Sequence, residues 1–329
     1  MTDIDAIVLH RDAIVFDGLI VANWSPDILA EMRRGGLSGA NCTCCVWENF
    51  ADTMQNIAQW NGFFRDHGNL VIKARTVADI RAAKSADKTA IVLGFQNTSA
   101  FEDRIGNVQH FKDVGVGIVQ LAYNTQNFVG AGCYESNDSG LSDFGHDVLA
   151  EMNRVGMLCD LSHVGARTSR DAITASTKPV AYTHCLPSGL KAHPRNKTDD
   201  QLREIAARDG FVGFASYTPF LPKGADSTLD DCAAAMEYVI DLVGEERVGI
   251  GTDWVQGQDK AFFDYLGRDH GVGRQLYPPY EKVPPPVQGL ERLRDFGNFI
   301  PAMEARNWTA TRIERVMGLN WLNFLDEVW

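Results

Sequence analysis

The chain has 329 residues, with 31 Lys and Arg against 43 Asp and Glu and a formal net charge of −12. Hydrophobic residues make up 45% and aromatic residues 10%, enough for a full core and outside the composition of disordered chains. The acidic balance excludes a nucleic-acid binder, which needs a basic face, and no apolar run approaches the ~18 residues of a membrane-spanning helix. The opening residues, MTDIDAIVLHRDAIVFDG, lack a basic segment followed by an apolar one, so no signal peptide is expected. Seven cysteines in no framework-like spacing suit a reducing compartment, and the expected location is the cytoplasm.

Apolar runs at Ala13–Phe16, Gly39–Cys45, Ala90–Gln96, Gly117–Tyr123, Met157–His163, Pro179–Cys185, Phe211–Tyr217 and Val248–Asp253 read as strands. Most are near-continuous in apolar or small residues, as parallel strands buried on both faces require. Helical periodicity lies between them, at Asp27–Arg34, Asp143–Val155, Thr168–Ser176, Asp199–Arg208 and Leu229–Val243. Ser25, Ser142 and Thr198 stand at N-cap positions. Repeated β-then-α units in this number predict an α/β protein of the (β/α)8 TIM-barrel type, and no glycine-rich phosphate loop follows any run. Leu70–Lys73 reads as an added edge strand. Five prolines within 268–289, interleaved with Tyr277 and Tyr280, predict a long shaped loop. From 309 to 329 the spacing is helical again, with Trp321 on the apolar face. Residues 1–329 are expected to form one barrel domain.

Barrel enzymes carry their chemistry at the C-terminal ends of the strands. His163 and His184 close neighbouring runs, and Asp253 closes the last, a set suited to metal or acid–base chemistry. The plain alternative is hydrogen bonding within the rim. Arg195, in the proline-stiffened stretch His193–Lys197, suits a substrate carboxylate or, equally, a surface ion pair to Asp199 or Asp200. Tyr123 and Asn124 offer a phenol and an amide at the same rim.

The stretches Leu158–Val164, Thr183–Pro187, His193–Asp200 and Val248–Asp253, with Gly318-Leu319-Asn320 near the end, resemble the membrane (renal) dipeptidase family, metallopeptidase family M19 of the amidohydrolase superfamily. The resemblance implies a (β/α)8 barrel, two zinc ions, hydrolysis of dipeptides and a homodimer. It implies that His163 and His184 match the histidines of the second zinc site. Asp253 matches the aspartate that touches the first metal and handles the proton, and Arg195 the arginine that binds the terminal carboxylate.

Other positions depart from the family's pattern. Its first strand carries a His-x-Asp ligand pair, where this chain reads Asp17-Gly18-Leu19-Ile20-Val21. Gln96 stands where a glutamate bridges the metals, and Tyr123 replaces a histidine. Leucine and valine ligate nothing, and a neutral amide bridges dications poorly. Of the family's carboxylates at the metals, only Asp253 remains. The expectation is therefore no dinuclear centre and at most one zinc ion, on His163 and His184 with Gln96 as a weak third ligand or a thiolate completing the set. Period-two alternation puts Cys42 and Cys44 on one face, and Cys44 or Cys185 reaches a metal if those side chains point into the barrel. The leading function is a dipeptidase-like hydrolase of a dipeptide or small carboxylated amide. The alternatives are a metal-independent barrel enzyme acting on a small carboxylated metabolite, and a non-catalytic metabolite binder.

Overall fold

Eight parallel strands close on themselves in the computed structural model, which describes residue 9 and residues 11–329. In chain order the strands are β1 (Phe16–Ile20), β2 (Gly39–Cys45), β3 (Val71–Lys73), β4 (Thr89–Phe95), β5 (Val116–Gln120), β6 (Leu158–Asp160), β7 (Ala181–Cys185), β8 (Phe211–Phe214) and β9 (Val248–Ile250). β1 pairs with both β2 and β9, and β2 pairs with β4, which completes the ring. β3 stands outside it, pairing with the first residues of β4 as the added edge strand expected at Leu70–Lys73. Helices such as α1 (Pro26–Arg34), α2 (Phe50–Asp66) and α3 (Val77–Ser85) cover the outside. Ser25 and Ser142 cap helix N-termini, and Thr198 forms a capping box with Gln201.

Two cores follow from the period-two alternation of the strands. The larger lies between strands and helices, and the second fills the lower barrel with Phe16, Val92, Leu158, Phe211 and their neighbours. Trp321, on the C-terminal helix Asn320–Val328, plugs that end and donates its indole N–H to the Ile250 carbonyl at 2.8 Å. A Cβ at Gly18 or Gly249 would lie 2.5 or 2.6 Å from this ring, so glycine is what admits the plug. The tail is two helices rather than one, because Gly318 breaks the path where its Cα packs against the backbone of Ile14 and Phe16.

The first strand differs from the expectation. It runs Phe16–Ile20 rather than Ala13–Phe16, and the turn-like pair Asp17-Gly18 lies inside it. Asp17 is tolerated there because it is fully hydrogen-bonded, and Gly18 because Trp321 takes the space of a side chain. Five strands also stop short of their predicted ends, at Phe95, Gln120, Asp160, Phe214 and Ile250, which leaves Gln96, Tyr123, His163, Tyr217 and Asp253 just beyond them. Asn124 and Asp253 have left-handed backbones (φ 61° and 60°), which no strand continues.

Candidate active site

Two buried aspartates build the rim with the same set of bonds. Asp17 on β1 accepts from the Leu19 N–H (3.1 Å), the Thr252 N–H (2.8 Å) and the Thr252 hydroxyl (2.5 Å). Asp160 on β6 accepts from the Ser162 N–H (2.9 Å), the Thr183 N–H (3.0 Å) and the Thr183 hydroxyl (2.7 Å). In each case the residue after the threonine is a candidate catalytic group, Asp253 or His184. Burial pushes the Asp17 carboxyl up to about 7, against the pull of its bonds from Thr252.

His163 and His184 come together, their ring centres 5.1 Å apart. His163 Nδ1 lies 2.8 Å from Asn124 Oδ1, which can only accept, so Nδ1 carries the proton and Nε2 offers a lone pair. His184 Nδ1 lies 2.8 Å from the Thr183 hydroxyl, whose own proton goes to Asp160, so the same tautomer follows. Both Nε2 atoms are buried without a hydrogen-bond partner among the described residues. Burial holds both rings well below the usual histidine range, and Arg195 adds to the effect, so both are neutral at pH 7.

Arg195 is buried, not paired at the surface with Asp199 or Asp200. Its guanidinium donates to the carbonyls of Ser162 and, at 3.4 Å, His184, while Nε has no partner among the described residues. Asp253 is partly buried, and its carboxylate accepts no hydrogen bond from any described residue. Burial raises it to about 6, the Arg195 charge opposing. Tyr123 stacks on His163 at 4.1 Å, and burial raises its phenol so that it stays protonated. A small cavity, with space for roughly three waters, is lined by Asp253, Arg195, His163, Tyr123, Asn124 and Gln96 among others. The rim residues singled out in the sequence thus meet in one place. Only His184 lies behind the wall rather than in it.

These donors do not fit the family's metal centre. Val21 lines the cavity where a ligand is needed, and Leu19 is buried. Among the described residues no three His, Cys, Asp or Glu side chains converge to hold an ion. Two imidazoles and the neutral Gln96 amide, itself donating to Thr43 at 3.1 Å, fall short of the anionic or three-ligand sets that hold zinc. The cysteine alternative is corrected as well. Cys42, Cys44 and Cys185 pack in the core between strands and helices, with Cys44 donating to the Gly94 carbonyl at 3.4 Å. Burial raises all three thiols, so thiolates are disfavoured.

Sequence reasoning missed the aromatic part of the cavity. Tyr134, Tyr217, Phe220 and Phe263 line it with Tyr277 and Tyr280, brought from three separate loops and the helix Lys260–Leu266. Only the tyrosines among the prolines carried a signal. The proline segment itself roofs a second cavity of about 210 Å³, which shares Tyr217, Asp253 and Val255 with the first.

Known proteins agree with this frame. The model of the family described as membrane dipeptidase (peptidase family M19) matches residues 17–265. A dipeptidase of Schizosaccharomyces pombe, C965.12, itself uncharacterized, is 31% identical over 248 residues, 73% of this chain and 53% of that protein. The dipeptidase tcpJ of Claviceps purpurea is 29% identical over 279 residues, 84% of this chain and 60% of that one. The chain therefore spans just over half the length of these two relatives. The crystal structure of an amidohydrolase from Pseudomonas aeruginosa superposes with a TM-score of 0.96 at 51% identity, over 98% of this chain and 99% of that chain. A metallo peptidase from Rhodobacter sphaeroides, bound to a phosphinate mimic of L-Ala-D-Ala, shares the fold at 18% identity and TM-score 0.80, over 97% of this chain and all of that one. With three quarters of its length matched by the family model, this chain belongs to the membrane dipeptidase family, peptidase family M19.

Proposed function

We propose that the chain hydrolyses a dipeptide or a similar small carboxylated amide, using Asp253 as the general base. The observation that carries this reading is the convergence of the unpaired Asp253 carboxylate and the buried Arg195 guanidinium on the lining of one cavity. A carboxyl raised to about 6 is ionised at neutral pH yet basic enough to accept a proton from water. The water oxygen then bonds to the amide carbon, the C–N bond breaks, and the proton held by Asp253 passes to the leaving nitrogen. Tyr123, protonated and with its hydroxyl free of partners among the described residues, donates to the developing oxyanion. Arg195 binds the substrate carboxylate, and Asn124 fixes the tautomer of His163 and contacts the substrate.

At most one zinc ion, held weakly by His163, His184 and Gln96, is the ceiling for this donor set, and no step is routed through it. The same reading takes residues 1–329 as one barrel domain, working in the cytoplasm as a homodimer with no nucleic-acid or membrane partner. Among the described residues no helix is long and apolar enough to cross a membrane. The test is amine release from a panel of dipeptides and N-acyl amino acids. Wild-type turnover that Asp253→Asn lowers by about 10²–10⁴ is expected. A panel left intact by wild-type protein overturns the reading.

A further inference from the structure

The wall facing Asp253 is a circuit of aromatic rings. Tyr134 touches Tyr277 (ring centres 5.4 Å apart), and Tyr277 touches Tyr280 (5.8 Å). Tyr217 and Tyr280 line the same cavity, and each phenol is felt electrostatically by the other. Tyr217 touches Phe220 (4.9 Å), Phe220 touches His193 (4.6 Å), and His193 returns to Tyr134 (6.4 Å). Phe263 backs Tyr280 edge-on at 6.0 Å. The four tyrosines are half-buried, their faces neither sealed in the core nor on the open surface.

We propose that this circuit is a cage for an N-methylated ammonium group, and that the site's substrate is a small amide that carries such a group together with the carboxylate that meets Arg195. The inference rests on the reading of this cavity as the substrate site and names its substrate class. An apolar ligand would leave the Asp253 carboxylate facing it without compensation. A bare ammonium brings three N–H donors that need hydrogen-bond acceptors, whereas the wall facing Asp253 is mostly ring surface among the described residues. A methylated ammonium brings no donors. It keeps its charge for Asp253 and the ring faces, and it buries its methyl groups against Val21, Val255 and Leu266. Val21 stands where the sequence resemblance puts a metal-ligating carboxylate, so a position that would hold a metal instead supplies apolar wall. The space for roughly three waters suits one such head group, and the second cavity beneath the prolines leaves room for the rest of a longer substrate.

The probe is trimethylammonioacetate, titrated calorimetrically into the whole protein at neutral pH beside its neutral-headed isostere 3,3-dimethylbutanoate and beside glycine. The three share the carboxylate and differ at the head. Binding of trimethylammonioacetate at least tenfold tighter than of either comparator is expected. Tyr280→Leu should reduce that preference by about tenfold, while Tyr280→Phe, which keeps the ring, retains it. Equal affinity for the two isosteres, preference for glycine, or no heat from trimethylammonioacetate at tens of millimolar overturns the cage, and none of these comparisons needs a variant that folds. Hydrolysis is read separately by amine release. Preferential binding without turnover therefore sinks the hydrolase reading and leaves the cage, and turnover without preference does the reverse.

Discussion

Asp17 holds Thr252 by both its backbone N–H and its hydroxyl, at 2.8 and 2.5 Å, and so sets the residue that follows, Asp253, in a left-handed turn facing the cavity. Asp160 holds Thr183 in the same way ahead of His184. The rim is thus positioned by carboxylates that never meet the substrate. Thr252→Val keeps the shape and removes one bond of the clamp. It should lower kcat more than it raises KM, as measured by steady-state kinetics on whichever amide is turned over.

Asp253→Asn should lower kcat by about 10²–10⁴, the usual share of a general base. The same substitution should raise the melting temperature at pH 7.5. The folded carboxyl titrates at about 6 against 3.8 unfolded, so the folded state binds the extra proton between those values. Stability from this group is full below about 3.8 and lost as pH rises through 6, which makes the ionised form a liability at pH 7.5. Asparagine removes that charge and suits the left-handed backbone. A rise of roughly 1–3 °C by calorimetry is expected, and it should vanish at pH 4.

The pH profile of kcat/KM should carry one limb. Activity falls about tenfold per unit below pH 6 as Asp253 takes up its proton. Asp17, raised to about 7, holds the Thr252 that precedes Asp253, so the fall begins near that pH; above it His163 and His184 add no limb, because they are already neutral, and the Tyr123 phenol remains protonated. An acidic limb near the ordinary carboxylate range, or one that persists in Asp253→Asn, would assign the base elsewhere.

Zinc should be present at no more than one equivalent per chain by elemental analysis of purified protein, and prolonged dialysis against a strong chelator should leave amide turnover within about twofold. The reason is the donor set, two imidazoles and a neutral amide. Two tightly held equivalents, or turnover that chelation abolishes and zinc restores, would sink the metal-free mechanism.

Trp321→Ala should cost about 3–5 kcal/mol in urea unfolding, since it empties the plug of the barrel and strands the Ile250 carbonyl. Activity per folded molecule should change little, because the plug lies at the end opposite the rim.

Much of this was legible in the chain. Continuous apolar runs specify parallel strands buried on both faces, and their alternation with capped amphipathic segments specifies a barrel. His163, His184, Asp253 and Arg195 were legible because barrel chemistry gathers at strand ends, and Leu19, Val21 and Gln96 stood out because the resembled family's pattern has metal ligands at those positions. Other features needed the folded molecule. Asp17-Gly18 looks like a turn until Thr252 and Trp321 meet it across more than 200 residues. The outward face of Cys42 and Cys44 depends on strand register, which a run of small residues leaves open. Tyr134, Tyr217 and the pair Tyr277 and Tyr280 come together from three loops whose paths are set by packing, not by local propensity. Side-chain type and local period are written in the sequence, but which distant groups share a cavity is decided only when the barrel closes.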